Sequence, residues 1–344
     1  MTMAASVSVT RQRVELPDNV SKAELTAKVG EVVKKSSWWD MYGVDWCIIT
    51  FFYLLLIPAF ILMRSQHWAP FILGAIFMGL THSTIATKVG HQAVHNSLCA
   101  SKRWSKFWQY FFMEICGTFS VDMAHNIHIK VHHPYTNIIG FGDSSTFRVP
   151  ILPRYIYMFV SPLLIPVFTP LFVMYSLLGN WIELIRCTTF IMAGLAVNAY
   201  LLVNVSGLSL QTAIFTMMTA RAVLSIPYIH VNIFQHIGLP MYSKENHPKR
   251  LYLMSTGVLN LPRNPILDFC FGHSIISCHV EHHLFPDLSD NMCLKIKPIV
   301  RKFLTRNSLP YNEATYMNRL KFFIQRYEEL MVKLPPITEF IGIQ

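Results

Sequence analysis

The sequence predicts an all-α integral-membrane fold: four transmembrane helices, further interfacial or re-entrant helices, and a cytosolic histidine-rich cap. Three observations lead there. Of 344 residues, 52% are hydrophobic and 14% charged, against about 25% charged in an ordinary soluble domain. Apolar runs of about twenty residues recur, each long enough for roughly 30 Å of hydrocarbon. Histidines gather in three clusters with helical spacing, HQAVH, HIKVHH and HVEHH.

The net charge of +10 comes without a polybasic block. Bases spread over the tail, loops and C-terminal third speak for topology and attraction to a membrane surface, with no nucleic-acid partner. The cysteines, Cys47, Cys99, Cys116, Cys187, Cys270, Cys278 and Cys293, are odd in number and include no C-x-x-C. They read as reduced thiols without a disulfide framework.

Residues 1–43 form a polar cytosolic tail with five acids, six bases and no secretory signal. An amphipathic helix is expected over Lys22–Lys35, and Trp38 and Trp39 suit an interface belt. The first histidine of the chain is His67, so this tail holds no bis-histidine haem domain. Val44–Met63 is the first span, kinked at Pro58. Trp68–Thr87 is the second and runs on into the first histidine cluster. Trp104–Val121 contains Lys106 and Glu114 and is expected in the interface, because the clusters on either side of it must reach the same metals from one side of the bilayer. The same parity allows two crossings among the next three apolar runs. Arg186–Val203 and Leu208–Ile229, joined by an uncharged turn, are the third and fourth spans. Tyr155–Leu178, interrupted by Pro162, Pro166 and Pro170, is expected to be broken, re-entrant or interfacial. His82, inside the second span, reads as a histidine hydrogen-bonded to a neighbouring helix, the alternative being a substrate-tunnel residue. Arg221, inside the fourth, reads either as a head-group contact or as a snorkelling base. Residues 44–291 are thus the membrane domain and 292–344 a cytosolic amphipathic region.

In an α-helix, residues at i, i+3 and i+4 share a face. His91 and His95 therefore point together, and His279, His282 and His283 are expected to enter one metal site. In HIKVHH, His132 and His133 are turned by about 100° from each other, so with His128 they serve two different ions. A dinuclear centre follows. Eight box histidines exceed what one tetrahedral zinc uses, and no H-E-x-x-H motif is present. Copper usually brings Cys or Met into its site, and haem-ligating histidines would sit within the spans. Two iron ions are the economical reading. Asn232 and His236, four apart after the fourth span, join the candidates, His236 as a ninth ligand and Asn232 as a weaker donor that holds water. His125, His230 and His273 fit outer or core positions. Asp122, Asp143, Asp268 and Glu281 are candidates to balance charge one layer out.

These boxes resemble the integral-membrane fatty acid desaturase family, whose signature is H-x(3,4)-H, H-x(2,3)-H-H and (H/Q)-x(2,3)-H-H. TNIIGFGD after the second box and LFP after the third are family-like as well. The resemblance implies a diiron enzyme of the endoplasmic reticulum membrane, with both termini cytosolic, that uses O2 to place a double bond in a fatty acyl lipid. It implies the ligands His91, His95, His128, His132, His133, His279, His282 and His283, with Asn232 and His236 matching an N-x-x-x-H element. The front-end members carry a fused cytochrome b5 domain and a Gln opening the third box. Here that position is His279, so electrons are expected from a separate cytochrome b5 and its reductase. A diiron hydroxylase is the alternative on the same scaffold, and a haem-binding electron carrier the alternative of a different class.

Overall fold

The computed structural model describes residues 21–138, 141, 149 and 151–333, and nearly every element among them is helical. Helix α1 (Lys22–Lys35) begins where Ser21 accepts a hydrogen bond from the Ala23 amide, and it buries Leu25 and Val29. The expected amphipathic face is spent inside the protein, in one core with Ile296, Val300 and Phe303 of the cap.

Two helical hairpins make the membrane body: α2 (Trp39–Leu62) with α3 (Trp68–Val94), and α7 (Trp181–Asn204) with α8 (Leu210–Phe234). Between α3 and α7 come α4 (Lys102–Gln109), α5 (121–135) and α6 (Ile156–Ser176). At the end of the body remote from the histidines, Phe60 and Met63 pack on Leu202 and Ala213, and the Ser206 hydroxyl donates to the Phe60 carbonyl at 3.0 Å. Outward positions on these helices, such as Leu54, Ile57 and Ile61 on α2 or Met192 and Tyr200 on α7, stay exposed. In a bilayer that apolar surface meets lipid, while each helix satisfies its own backbone.

A fifth helix, α6 (Ile156–Ser176), is also long and apolar enough to cross. It is broken, as its prolines require, passing from a π turn (Ile156–Val160) through a 3₁₀ turn (Ser161–Leu164) into α-helix (Ile165–Ser176). Tyr157 and Met158 at its start pack with Phe234 and Tyr327, whereas Val173 and Leu177 at its end pack with Met123. Phe234 stands just before His236 and Met123 just before His128, so both ends of α6 lie at the level of the histidines.

Helix α4 continues as a π turn, Tyr110–Cys116, and is too short to cross. It lies so close to α7 that a Cβ on Gly194 would stand 1.8 Å from the Ile115 carbonyl oxygen; only glycine permits that approach. At the cap end of α7, Arg186 pairs with Glu114 at 3.0 Å and with Asp122. This ties the interfacial helix to the start of α5, where Val121–Met123 opens a π-helical run, Ala124–His132, that closes at His133–Tyr135.

The cap contains α9 (Arg250–Gly257), α10 (Pro265–Phe271), α11 (His279–Leu284), α12 (Asp290–Arg306) and α13 (Tyr316–Gln325). One two-stranded parallel sheet occurs among the described residues, β1 (Leu259–Asn260) with β2 (Asn312–Glu313). It brings the C-terminal region against the helix of the third box.

Candidate metal centre

Four pieces of chain carry the histidines to one place. Helix α3 loosens into a π turn at Ile85–Val89, then delivers His91 and His95 from its last turn. The π run of α5 supplies His128, His132 and His133. His236 follows the end of α8, and α11 contributes His279, His282 and His283.

They form two sets. His91, His95, His128, His133 and His282 make one, and His132, His236, His279 and His283 the other; within each set the ring nitrogens lie within 4.8 Å of one another. His132 and His133 separate between the sets, as their rotation predicts. The partner of His128 is His133, five residues on, with Nε2 atoms 3.2 Å apart. A π-helix bonds i to i+5 and so stacks residues at that spacing. The third box differs from expectation: its three histidines do not share a site. His279 and His283, at i and i+4, go together, while His282, offset by about 100° from His283, joins the five-histidine set.

The outer nitrogens decide what the inner ones can be. Nδ1 of His236 donates to the Gly257 carbonyl at 3.1 Å, and Nδ1 of His279 to the Ser274 carbonyl at 2.8 Å. A carbonyl only accepts, so both rings carry a proton on Nδ1, and a neutral ring then presents the lone pair of Nε2. Those two Nε2 atoms face each other at 2.8 Å, which is repulsive unless a cation lies between. Burial and neighbouring imidazoles hold His95, His128, His133, His282 and His283 well below the ordinary histidine range. His279 is also depressed, by burial first and His236 next. Protons are therefore poor occupants. Buried nitrogens without a protein partner, His95 Nε2, His283 Nε2 and both nitrogens of His282, complete the picture. The donor set fits two metal ions of intermediate softness such as iron.

A sequence profile of the Fatty acid desaturase family matches residues 66–315. The chain belongs to the fatty acid desaturase family. It is 52% identical to fatty acid desaturase 6 of Bos taurus over 93% of this chain and 94% of that one. It is 50% identical to the Homo sapiens protein of the same description, over 93% and 90%. Fatty acid desaturase 3 of Bos taurus is 21% identical over 76% of this chain and 61% of its own length.

In this desaturase the carboxylates singled out from sequence have other partners. Asp122 pairs with Arg186, and Asp268 accepts from Ser277 at 2.7 Å and lies 3.2 Å from His273. Glu281, on α11 but turned from the rings, accepts from Asn260 at 3.0 Å and Tyr311 at 2.7 Å. Burial outweighs those donors and pushes its pKa up to about 7. Asp143 lies outside the described residues. The candidate rings are held instead by neutral groups, Thr136 at His283 Nδ1 (3.3 Å) and Ser274 at both His91 and His279. Sequence reasoning missed these, because a lone Ser or Thr carries no spacing signal. His125 meets Gln109 at 3.0 Å, and His230 meets Tyr316 and the Met158 carbonyl, so both are satisfied core groups. The Asn232 amide nitrogen donates to the Tyr228 carbonyl at 2.7 Å, which leaves any role at the metals to its amide oxygen. Arg221 does not snorkel: it is buried, with Nη1 3.3 Å from the Thr118 hydroxyl.

Proposed function

We propose that this chain is an O2-dependent fatty acyl desaturase of the endoplasmic reticulum membrane, with two iron ions held by His91, His95, His128, His133 and His282 and by His132, His236, His279 and His283. The observation that carries the reading is the convergence of nine buried or half-buried histidines into two sets, with the Nε2 atoms of His236 and His279 facing each other at 2.8 Å. Likeness to proteins described as fatty acid desaturase 6 along nearly the whole chain supports the acyl-lipid substrate.

Two irons bound here supply the oxidising power: each double bond consumes O2, two electrons and two protons, and releases two waters with two hydrogens from adjacent acyl carbons. The chain's own work is positioning, since an unactivated C–H bond offers no polar handle. Burial keeps the imidazoles neutral, so their lone pairs stay available. The four-span body beneath the cap binds acyl methylenes at about 0.8 kcal/mol each, and this energy fixes which carbon meets the metals. Asn232, one turn before His236, stays in the proposed site as a holder of water through its amide oxygen. The tail helix α1 and the C-terminal α12 share one core with the third box, which supports placing both termini on the histidine side. That side faces the cytosol in this reading, where a separate cytochrome b5 and its reductase deliver electrons.

The test is lipid profiling of microsomes from a desaturase-deficient host that expresses the full chain, beside a His282→Ala control, with iron measured on the purified protein. A new unsaturated acyl chain absent from the control, with about two irons per chain, is expected. A hydroxylated lipid in its place would shift the assignment to the hydroxylase, and a Soret band without non-haem iron would overturn it. Repeating the assay in microsomes depleted of cytochrome b5 should abolish the product.

A further inference from the structure

One residue touches ligands of both metal sets. The Ser274 carbonyl accepts from Nδ1 of His279 at 2.8 Å, and its hydroxyl lies 3.4 Å from Nδ1 of His91. His279 belongs to the four-histidine set and His91 to the five-histidine set. The Ser274 amide in turn donates to Asp290 Oδ1 at 3.0 Å.

Asp290 is itself fixed from the membrane body. Its other oxygen meets the Lys88 ammonium, which also lies 3.0 Å from Asp45 Oδ1, and all three side chains are at most 2% exposed. The Gln92 amide nitrogen lies 3.3 Å from Asp45 and 3.4 Å from Asp290, while Gln92 Oε1 accepts from the Asp290 amide at 3.3 Å. Asp45 and Asp290 thus flank one ammonium beside the site. Gly272 makes room for Asp290. Its φ is +94°, and a Cβ there would stand 2.0 Å from Asp290 Oδ2. The cluster joins α2 through Asp45, α3 through Lys88 and Gln92, and α12 through Asp290, and it does so one layer behind the histidines.

We propose that Ser274 and Asp290 are positioning residues that couple the two metal sites, with Asp290 orienting the Ser274 backbone and Ser274 orienting one ligand in each set. The inference rests on the diiron reading above. Outer partners of this kind change metal affinity by roughly 10- to 100-fold.

The experiment is titration of ferrous iron into the full-length metal-free protein in detergent, with ⁵⁷Fe Mössbauer spectra to tell the sites apart and thermal unfolding of the metal-free forms alongside. Asp290→Asn should weaken both sites together by about 10- to 100-fold. Ser274→Ala, which removes the hydroxyl and keeps the carbonyl, should weaken the five-histidine site alone. Thr136→Ala, which removes a hydroxyl shared by His283 Nδ1 and the His132 carbonyl, both in the four-histidine set, should weaken that site alone. Loss of metal-free stability without this site-specific pattern would assign the cluster a merely structural role and overturn the proposal. So would wild-type affinity at both sites in Ser274→Ala, a readout that survives even where Asp290→Asn fails to fold. Absence of iron binding by the unaltered chain would instead sink the diiron reading itself.

Discussion

His236 lies outside the three boxes, and its replacement by Ala separates ligand from bystander. The side chain is 2% exposed. Its Nδ1 partner, the Gly257 carbonyl, also accepts from Asn137 Nδ2 at 3.3 Å, so truncation leaves that carbonyl with a donor. What remains is the cost of a cavity the size of an imidazole, about 2–4 kcal/mol, offset in the metal-free protein by relief of the lone-pair contact with His279. The metal-free form should therefore stay folded. Metal binding suffers more: the four-histidine set drops to three donors, and losing a donor outright should exceed the roughly 10- to 100-fold loss seen for outer partners, while the five-histidine set keeps all its rings. Purified His236→Ala is expected to hold about one iron per chain instead of two, by elemental analysis, with desaturation below about 1% of the unaltered chain. Two irons together with undiminished turnover would refute the reasoning from the facing nitrogens.

Arg186→Met should strand Glu114, which is fully buried, and cost about 3–5 kcal/mol; adding Glu114→Gln should recover a large part of it, and a thermal-unfolding double-mutant cycle reads the difference. Gly194→Ala should force α7 away from Ile115 and cost about 1–3 kcal/mol, seen as a lowered unfolding midpoint in detergent. For pH, His95, His128, His133, His279, His282 and His283 titrate lower in the folded, metal-free protein than in the unfolded chain. Below about 6.5 the unfolded chain binds more protons, so stability is complete above that value and falls as pH drops, by up to about 1.4 kcal/mol per histidine per pH unit. Metal-free unfolding followed from pH 7.5 to 5.5 should show the steep loss, and a flat profile would count against a buried, neutral cluster.

The sequence alone determined the multi-pass membrane class and the identity of the rings, because apolar length and helical spacing are local properties that bilayer thickness and backbone geometry translate directly. By length and composition α6 qualifies as a fifth span, yet the requirement that His133 and His236 meet on one side already limited the crossings, and Pro162, Pro166 and Pro170 marked where the helix would break. Only the tertiary structure decided which histidines stand together. The departure of His282 from His279 and His283 follows its offset of about 100° on the α-helix His279–Leu284 and needs both sets to converge on that helix, and the pairing of His128 with His133 depends on the π run Ala124–His132, whose wider turn leaves no mark in composition. The supporting groups were equally hidden. Ser274, Asp290 and Lys88 lie far apart in the chain and become one cluster because α2, α3 and α12 converge behind the site; a buried charge network is a property of that convergence, and no single segment encodes it.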